Sequence, residues 1–137
     1  MPDLTIDSIK TKISELNSFA LLEPEYYAKE NGAAHVVAKD IKKKMKVTQL
    51  RKFFGHIKKI QLKYKGEQAD KKVDKSEFYL LLPELAYALG RDLISRNFYE
   101  LMKMSLGSSK IEEVKDFNRF VDFLSAVLAY HKMEKGE

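Results

Sequence analysis

Apolar residues recur at helical spacing almost from one end of this chain to the other, and no other feature constrains the fold as strongly. The stretch "VTQLRKFFGHIKKIQLKYK", Val47 to Lys65, shows it best. On a wheel advancing roughly 100° per residue, Leu50, Phe53, Phe54, Ile57, Ile60 and Tyr64 fall within about 120° of arc, a core-facing stripe. Ile6, Ile9, Ile13 and Leu16 repeat the pattern earlier. Val37, Ile41 and Met45 give Ala33 to Lys46 a narrower stripe. No alternating β-branched run of useful length interrupts them. The expected fold is all-α, a compact bundle of about five helices.

Punctuating residues divide the pattern. Pro24 starts a short helix from Glu25 to Glu30, which Asn31-Gly32 ends. Thr48 is placed to cap a helix from Gln49 to Lys65, and Gly66 to stop it. Glu67 to Lys75 is charged and aperiodic, so it reads as a loop or mobile tip. Ser76 is the expected cap of Glu77 to Leu89, with Gly90 closing that helix. Pro83 inside it removes a backbone bond and crowds the preceding turn, which predicts a kink or a restart. Ser95 caps Arg96 to Leu106, "LGSSK" is a break, and Lys110 to Lys132 is the longest helix. A chain of 137 residues suits a single domain, 1–137. Within it, 33–132 reads as the core bundle and 1–32 as an N-terminal helical segment.

Several function classes drop out. There is no cysteine, so disulfides, thiolate metal sites and cysteine nucleophiles are excluded, in keeping with a reducing, cytoplasmic setting. "MPDLTIDSIK" has no basic stretch followed by an apolar run, so it is not a signal peptide. The longest nearly uncharged apolar run, Phe78 to Leu82, is too short to span a bilayer, so no membrane is expected. His35, His56 and His131 lie far apart and show no metal-ligand spacing. Glu112, Glu113 and Asp116 sit where carboxylates complement a helix dipole. No glycine-rich phosphate loop, nucleophile elbow or dinucleotide fingerprint occurs. The expectation is no catalytic residue, no metal, no cofactor and no enzyme.

Charge is where the chain departs from an ordinary bundle. Lys39 to Lys65 holds eleven basic residues against Asp40 alone, a local +10, so the remainder of a chain of net +5 carries −5. A solvated lysine face and a surface for a polyanion account for this equally well on charge alone. On the wheel, Arg51, Lys52, Lys58, Lys59, Lys63 and Lys65 lie opposite the apolar stripe, with His56 at the margin and Gly55 in their midst. A glycine inside a helix costs about 1 kcal/mol against alanine. It is either tolerated there or serves close approach of another backbone. Because Phe53, Phe54 and Tyr64 point to the core, the basic face suits phosphate contact, not base stacking. No second short helix with base-reading residues follows, which argues against a helix-turn-helix regulator.

Two helices are apolar over more than one face. In the last, Phe123 and Tyr130 lie about a third of a turn from the main stripe of Phe117, Phe120, Val121, Leu124, Val127 and Leu128, with Arg119 on the same side. Burial within the bundle accounts for this best, and a subunit contact through Phe123 and Tyr130 is the second reading. Leu80 and Tyr87 likewise face away from the stripe of Phe78, Leu81, Leu82, Leu85 and Leu89.

Three stretches, in order, carry a family resemblance. "KVTQLRKFF" has a hydroxyl-Gln-apolar-Arg-Lys-aromatic order. "LLLPELAYALGR" contains Pro-x-Leu-Ala-Tyr-x-x-Gly-Arg, and "FNRFVDFLSAVLAYHK" forms the last helix. Together they resemble the small subunits of type III-A CRISPR–Cas (Csm) effector complexes, over roughly Ala33 to Lys132. The resemblance implies a non-catalytic, all-helical subunit that stacks in several copies beside the filament holding the guide RNA. It also implies that such a subunit steadies the guide–target RNA duplex through basic residues. The partners implied are guide RNA, target RNA and other Csm subunits, with self-association. Carried over by motif, Arg51, Lys52 and Arg91 are the RNA-contact candidates, with Arg119 after them. Lys58, Lys59 and Lys63 come from the wheel. Arg91, following Gly90, is also placed to pair with its own helix end or with Asp92. A helical protein–protein adaptor without nucleic-acid function is the competing reading.

Overall fold

The computed structural model describes residues 4–136 and runs from helix to helix throughout. In order come α1 (Ile6–Glu15), a 3-10 turn (Phe19–Leu21), α2 (Pro24–Tyr27), α3 (Ala33–Ile41), α4 (Val47–Leu62), α5 (Ser76–Gly90), α6 (Arg96–Leu106) and α7 (Val114–Lys135). Among the described residues there is no strand, only an isolated antiparallel bridge between Lys72 and Glu113. The all-α expectation holds, with seven helices among the described residues in place of about five. Residues 1–3 and 137 of the expected domain lie outside the described residues.

α7 is the axis of the molecule. α3, α4 and the 3-10 turn pack against it, while α5 lies on α6, and α6 touches α1 and α3. One apolar cluster extends from Ile9 to Val127 through every helix. Its largest fully buried side chains are aromatic: Phe19, Phe78, Phe98, Phe117, Phe120 and Phe123. Phe19 meets Phe120 edge-on at 5.4 Å and Phe78 tilts against Phe117 at 4.9 Å. Such pairs add about 0.5–1.5 kcal/mol beyond the area they bury. The N–H of Phe19 donates to the Lys110 carbonyl at 2.8 Å, so the N-terminal segment is bonded into the bundle.

Several boundaries differ from expectation, each for a local reason. α3 ends at Ile41, not Lys46, because residues 42–44 form a turn that drops Met45 into the core. Thr48 is not a cap. α4 begins one residue before it, with Lys46 in the capping position, because Val47 is buried together with Met45. Burying such a side chain stabilises by roughly 1.5–3 kcal/mol, against about 1 kcal/mol for a hydroxyl cap. At α5 the capping acceptor is Asp74, whose carboxylate takes the Ser76 N–H at 2.9 Å, leaving Ser76 inside the helix. Pro83 causes no restart, and α5 continues through it. α7 starts at Val114 because residues 110–113 are spent on other bonds. The Lys110 and Glu112 carbonyls accept from Phe19 and Val73. Those bonds also overturn the mobile-tip reading of Glu67 to Lys75, whose Val73 is buried. The Ser95 cap is as expected, accepting the Phe98 N–H at 3.1 Å.

Candidate nucleic-acid interface

α4 is oriented by its apolar stripe. Leu50, Ile57 and Ile60 are buried. Phe53 is half-buried, edge-on to Phe98 at 5.6 Å. Tyr64, just past the helix, meets Phe117 at 6.2 Å, and its hydroxyl accepts the Asp74 N–H at 2.8 Å. Fixing these side chains inward sends the other face to solvent. Arg51, Lys52, Lys58, Lys59 and Lys63 are all exposed there. Their charges are not equally available. Lys63 is held by Glu77 at 2.7 Å, and Lys58 donates to the Gln61 amide oxygen at 3.0 Å. Arg51, Lys52 and Lys59 have no ion pair or hydrogen-bond partner among the described residues, and neither do the neighbouring exposed Lys43 and Lys46.

Arg91 belongs to the same region from the other side. It occupies the C-cap of α5, exposed, its guanidinium 5.8 Å from the ring centroid of Tyr87 one turn back. Asp92 does not neutralise it, because the Asp92 carboxylate is taken by Lys44 at 2.7 Å. Between α4 and α5 runs a groove of about 500 Å³. Gln49, Lys52, Phe53 and His56 line it from α4. Glu84, Tyr87, Ala88 and Arg91 line it from the α5 side, over the buried Leu85, Ile94 and Phe98. The unbroken passage of α5 through Pro83 is what carries Tyr87 and Arg91 to this groove.

Three other sequence-derived candidates lie elsewhere. Arg119 is half-buried and donates to the Leu22 carbonyl, so it is engaged in fastening the N-terminal segment to α7. Phe123 is enclosed, touching Phe19 at 6.2 Å and Tyr27 at 5.9 Å, and offers no surface to a second subunit. Tyr130 is half-buried, stacks on His35 at 4.5 Å and donates to the Ala28 carbonyl at 2.7 Å. Burial, the first of the two readings, describes Phe123, while Tyr130 is only partly covered.

Two polar clusters brace α7. The Asp116 carboxylate accepts backbone N–H groups from Ala20 at 3.1 Å, Glu112 at 3.2 Å and Glu113 at 3.0 Å. Burial pushes this carboxyl up, but the N–H groups of Glu113 and Ala20, the Ser18 hydroxyl and the Glu112 N–H outweigh it and hold it below its ordinary value. Helix-dipole complementarity, the sequence reading of Asp116, misses this bonding across 96 residues. At the other end Asn31 donates its N–H to His35 Nδ1 at 2.9 Å, which leaves the proton on Nε2 facing Glu134. The hydrogen bonds from His35 and Lys42 hold the Glu134 carboxyl down to about 2. Both are structural fastenings, remote from the groove. Among the described residues no three His, Cys, Asp or Glu side chains are grouped to hold a metal ion.

Sequence reasoning missed Tyr87 as part of the charged region. The available signal was its spacing from Arg91, four residues on one helix face, where an aromatic and a cation meet.

What fold and surface define is an all-helical protein that, among the described residues, leaves Arg51, Lys52 and Lys59 without an ion-pair partner on one helix, with Arg91 at the helix end across from them. The family model described as Csm2 Type III-A matches residues 25–137, and the chain belongs to that family. It is thereby a structural subunit of a type III-A CRISPR complex, assembled with other Csm subunits. Comparison with curated proteins and with solved structures gives no significant match. Among the described residues no helix is long and apolar enough to cross a membrane.

Proposed function

We propose that this subunit is non-catalytic and binds RNA, stacking in several copies within a cytoplasmic effector complex and steadying the guide RNA–target RNA duplex through the outer face of α4. The observation that carries the reading is the availability of Arg51, Lys52 and Lys59, exposed and unpaired among the described residues on one helix whose opposite side is locked into the core. Arg91, Lys43 and Lys46 extend the same field. Cations so arranged neutralise phosphates, position a backbone and read no sequence. Lys63 and Lys58, already engaged within the chain, contribute less.

The test is RNA binding by the purified chain across a salt series. Binding should weaken steeply with salt and vary little with sequence. The log–log slope should approach about −0.7 for each single-stranded phosphate neutralised. Charge reversal at Arg51, Lys52 and Lys59 together should abolish it. Salt-independent binding, or none at low ionic strength, overturns the basic-face mechanism.

The adaptor reading keeps one specific observation: Leu80 and Leu62 are 69% and 67% exposed. If it governs, the triple charge reversal leaves complex assembly and interference intact, while Leu80→Asp disrupts assembly.

A further inference from the structure

We infer that the groove between α4 and α5 receives one unpaired nucleotide of an RNA strand, its base against Tyr87 and its phosphate between Lys52 and Arg91. This deepens the RNA-binding reading above and rests on it. Tyr87 is 68% exposed at the lip of the groove, on a helix whose core face is made by other residues. A ring in that position offers a flat apolar face, to which any base can stack without sequence preference. Lys52 and Arg91 reach the groove from opposite walls, and neither is neutralised by a carboxylate among the described residues. The one carboxylate in the lining, Glu84, stands 4.0 Å from His56 Nδ1 and is not paired with Lys52 or Arg91.

Size selects the occupant. A space of about 500 Å³ falls in the roughly 300–1,000 Å³ range of pockets that take a small ligand. It is far too narrow for a duplex, whose bases are in any case stacked and paired. A nucleotide turned out of the duplex, or one in a single-stranded flank, presents the base face and the phosphate together. An acidic peptide would satisfy Lys52 and Arg91 but has no need of an aromatic plane, so Tyr87 decides between the two.

The experiment is fluorescence titration of the full chain with a short single-stranded RNA carrying 2-aminopurine, beside a fully paired duplex of the same sequence. Stacking on Tyr87 should quench the probe in the single strand. Tyr87→Leu, which keeps apolar bulk but removes the plane, should weaken single-strand binding by about 10-fold and leave the salt slope and duplex binding unchanged. Tyr87→Phe should restore both quenching and affinity. Lys52→Gln combined with Arg91→Gln should instead flatten the salt slope. Tyr87 is exposed, so these variants should unfold at the same urea concentration as the parent. Single-strand binding by Tyr87→Leu equal to that of the parent overturns the inference while leaving the phosphate-binding reading in place. An equal loss on single strand and duplex overturns it also. Binding of a poly-glutamate peptide tighter than that of the single strand and unchanged in Tyr87→Leu assigns the groove to an acidic protein partner and overturns the inference. Failure of the parent to bind either RNA removes both readings together.

Discussion

α4 and α7 are both long, both aromatic and packed against one another, yet they handle polar groups in opposite ways. α7 turns four of its polar residues to partners within the fold. Asp116 collects three backbone N–H groups, Arg119 reaches the Leu22 carbonyl, His131 donates to the Met45 carbonyl and Glu134 bridges His35 and Lys42. α4 leaves Arg51, Lys52 and Lys59 unengaged. The two arginines are the same side chain with different duties, Arg119 a fastener and Arg51 an open contact. A cation's role follows from whether the fold has already supplied its acceptor, not from its presence in a family-like motif.

The most forceful way to break this contrast is at the core of α7. Phe123→Ala should destabilise by about 3–5 kcal/mol, as emptying a fully enclosed aromatic site does, read by urea denaturation. If the variant keeps its stability but loses subunit assembly, Phe123 returns to the interface role.

Next in size is Asp116→Ala, which leaves three part-buried N–H groups without their acceptor and should cost about 1–3 kcal/mol. The same residue sets a pH dependence. Asp116 and Glu134 are both held below their ordinary values of 3.8 and 4.5, Glu134 down to about 2. Depressed carboxyls contribute stability above the unfolded-state pKa and lose it as pH falls through the folded one. Unfolding free energy should therefore decline as pH falls from about 4.5 towards 2, and more shallowly in Asp116→Asn, by denaturation at stepped pH.

The arginine pair sharpens the contrast at smaller scale. Arg119→Gln should lose about 1–2 kcal/mol of stability and keep the RNA salt slope. Arg51→Gln should stay within about 0.5 kcal/mol of the parent in stability and flatten the slope. Smallest is Gly55→Ala. Nothing lies within 4 Å of the Cβ it would gain, so the chain itself tolerates it, and stability should rise by about 0.5–1 kcal/mol. A simultaneous fall in RNA affinity would assign Gly55 to close approach of the bound strand.

What could be read from the residues alone follows from the range of the forces involved. The stripe of α4 and the Ser95 cap are local, and they appear where spacing puts them. Thr48 failed as a cap because the burial of Met45 and Val47 outweighs a hydroxyl bond, and no window around Thr48 contains the residues that enclose them. Asp116 looked like a dipole partner because Ala20 is 96 residues away. On the surface, the wheel placed Arg51, Lys52 and Lys59 on one side of α4. It could not tell that Glu77 holds Lys63 or that Lys44, not Arg91, occupies Asp92. Nor could it bring Tyr87 across to Lys52, since that juxtaposition depends on how α4 and α5 each rest on the rest of the bundle.

Phe19 has a consequence for where this molecule begins as a physical object. The family likeness starts at residue 25. Phe19 and Leu22 are nonetheless fully buried, and Phe19 lies against Phe120 and Phe123 of the central helix, its N–H bonded to Lys110. Cutting the chain at the family boundary would strip two apolar plugs from α7 and leave the Lys110 and Leu22-facing groups of Arg119 without their mates. The matched stretch and the folding unit thus have different edges. A homologue that lacks an equivalent of this leading segment needs another cover for the same aromatic ridge, from its own chain or from a neighbour.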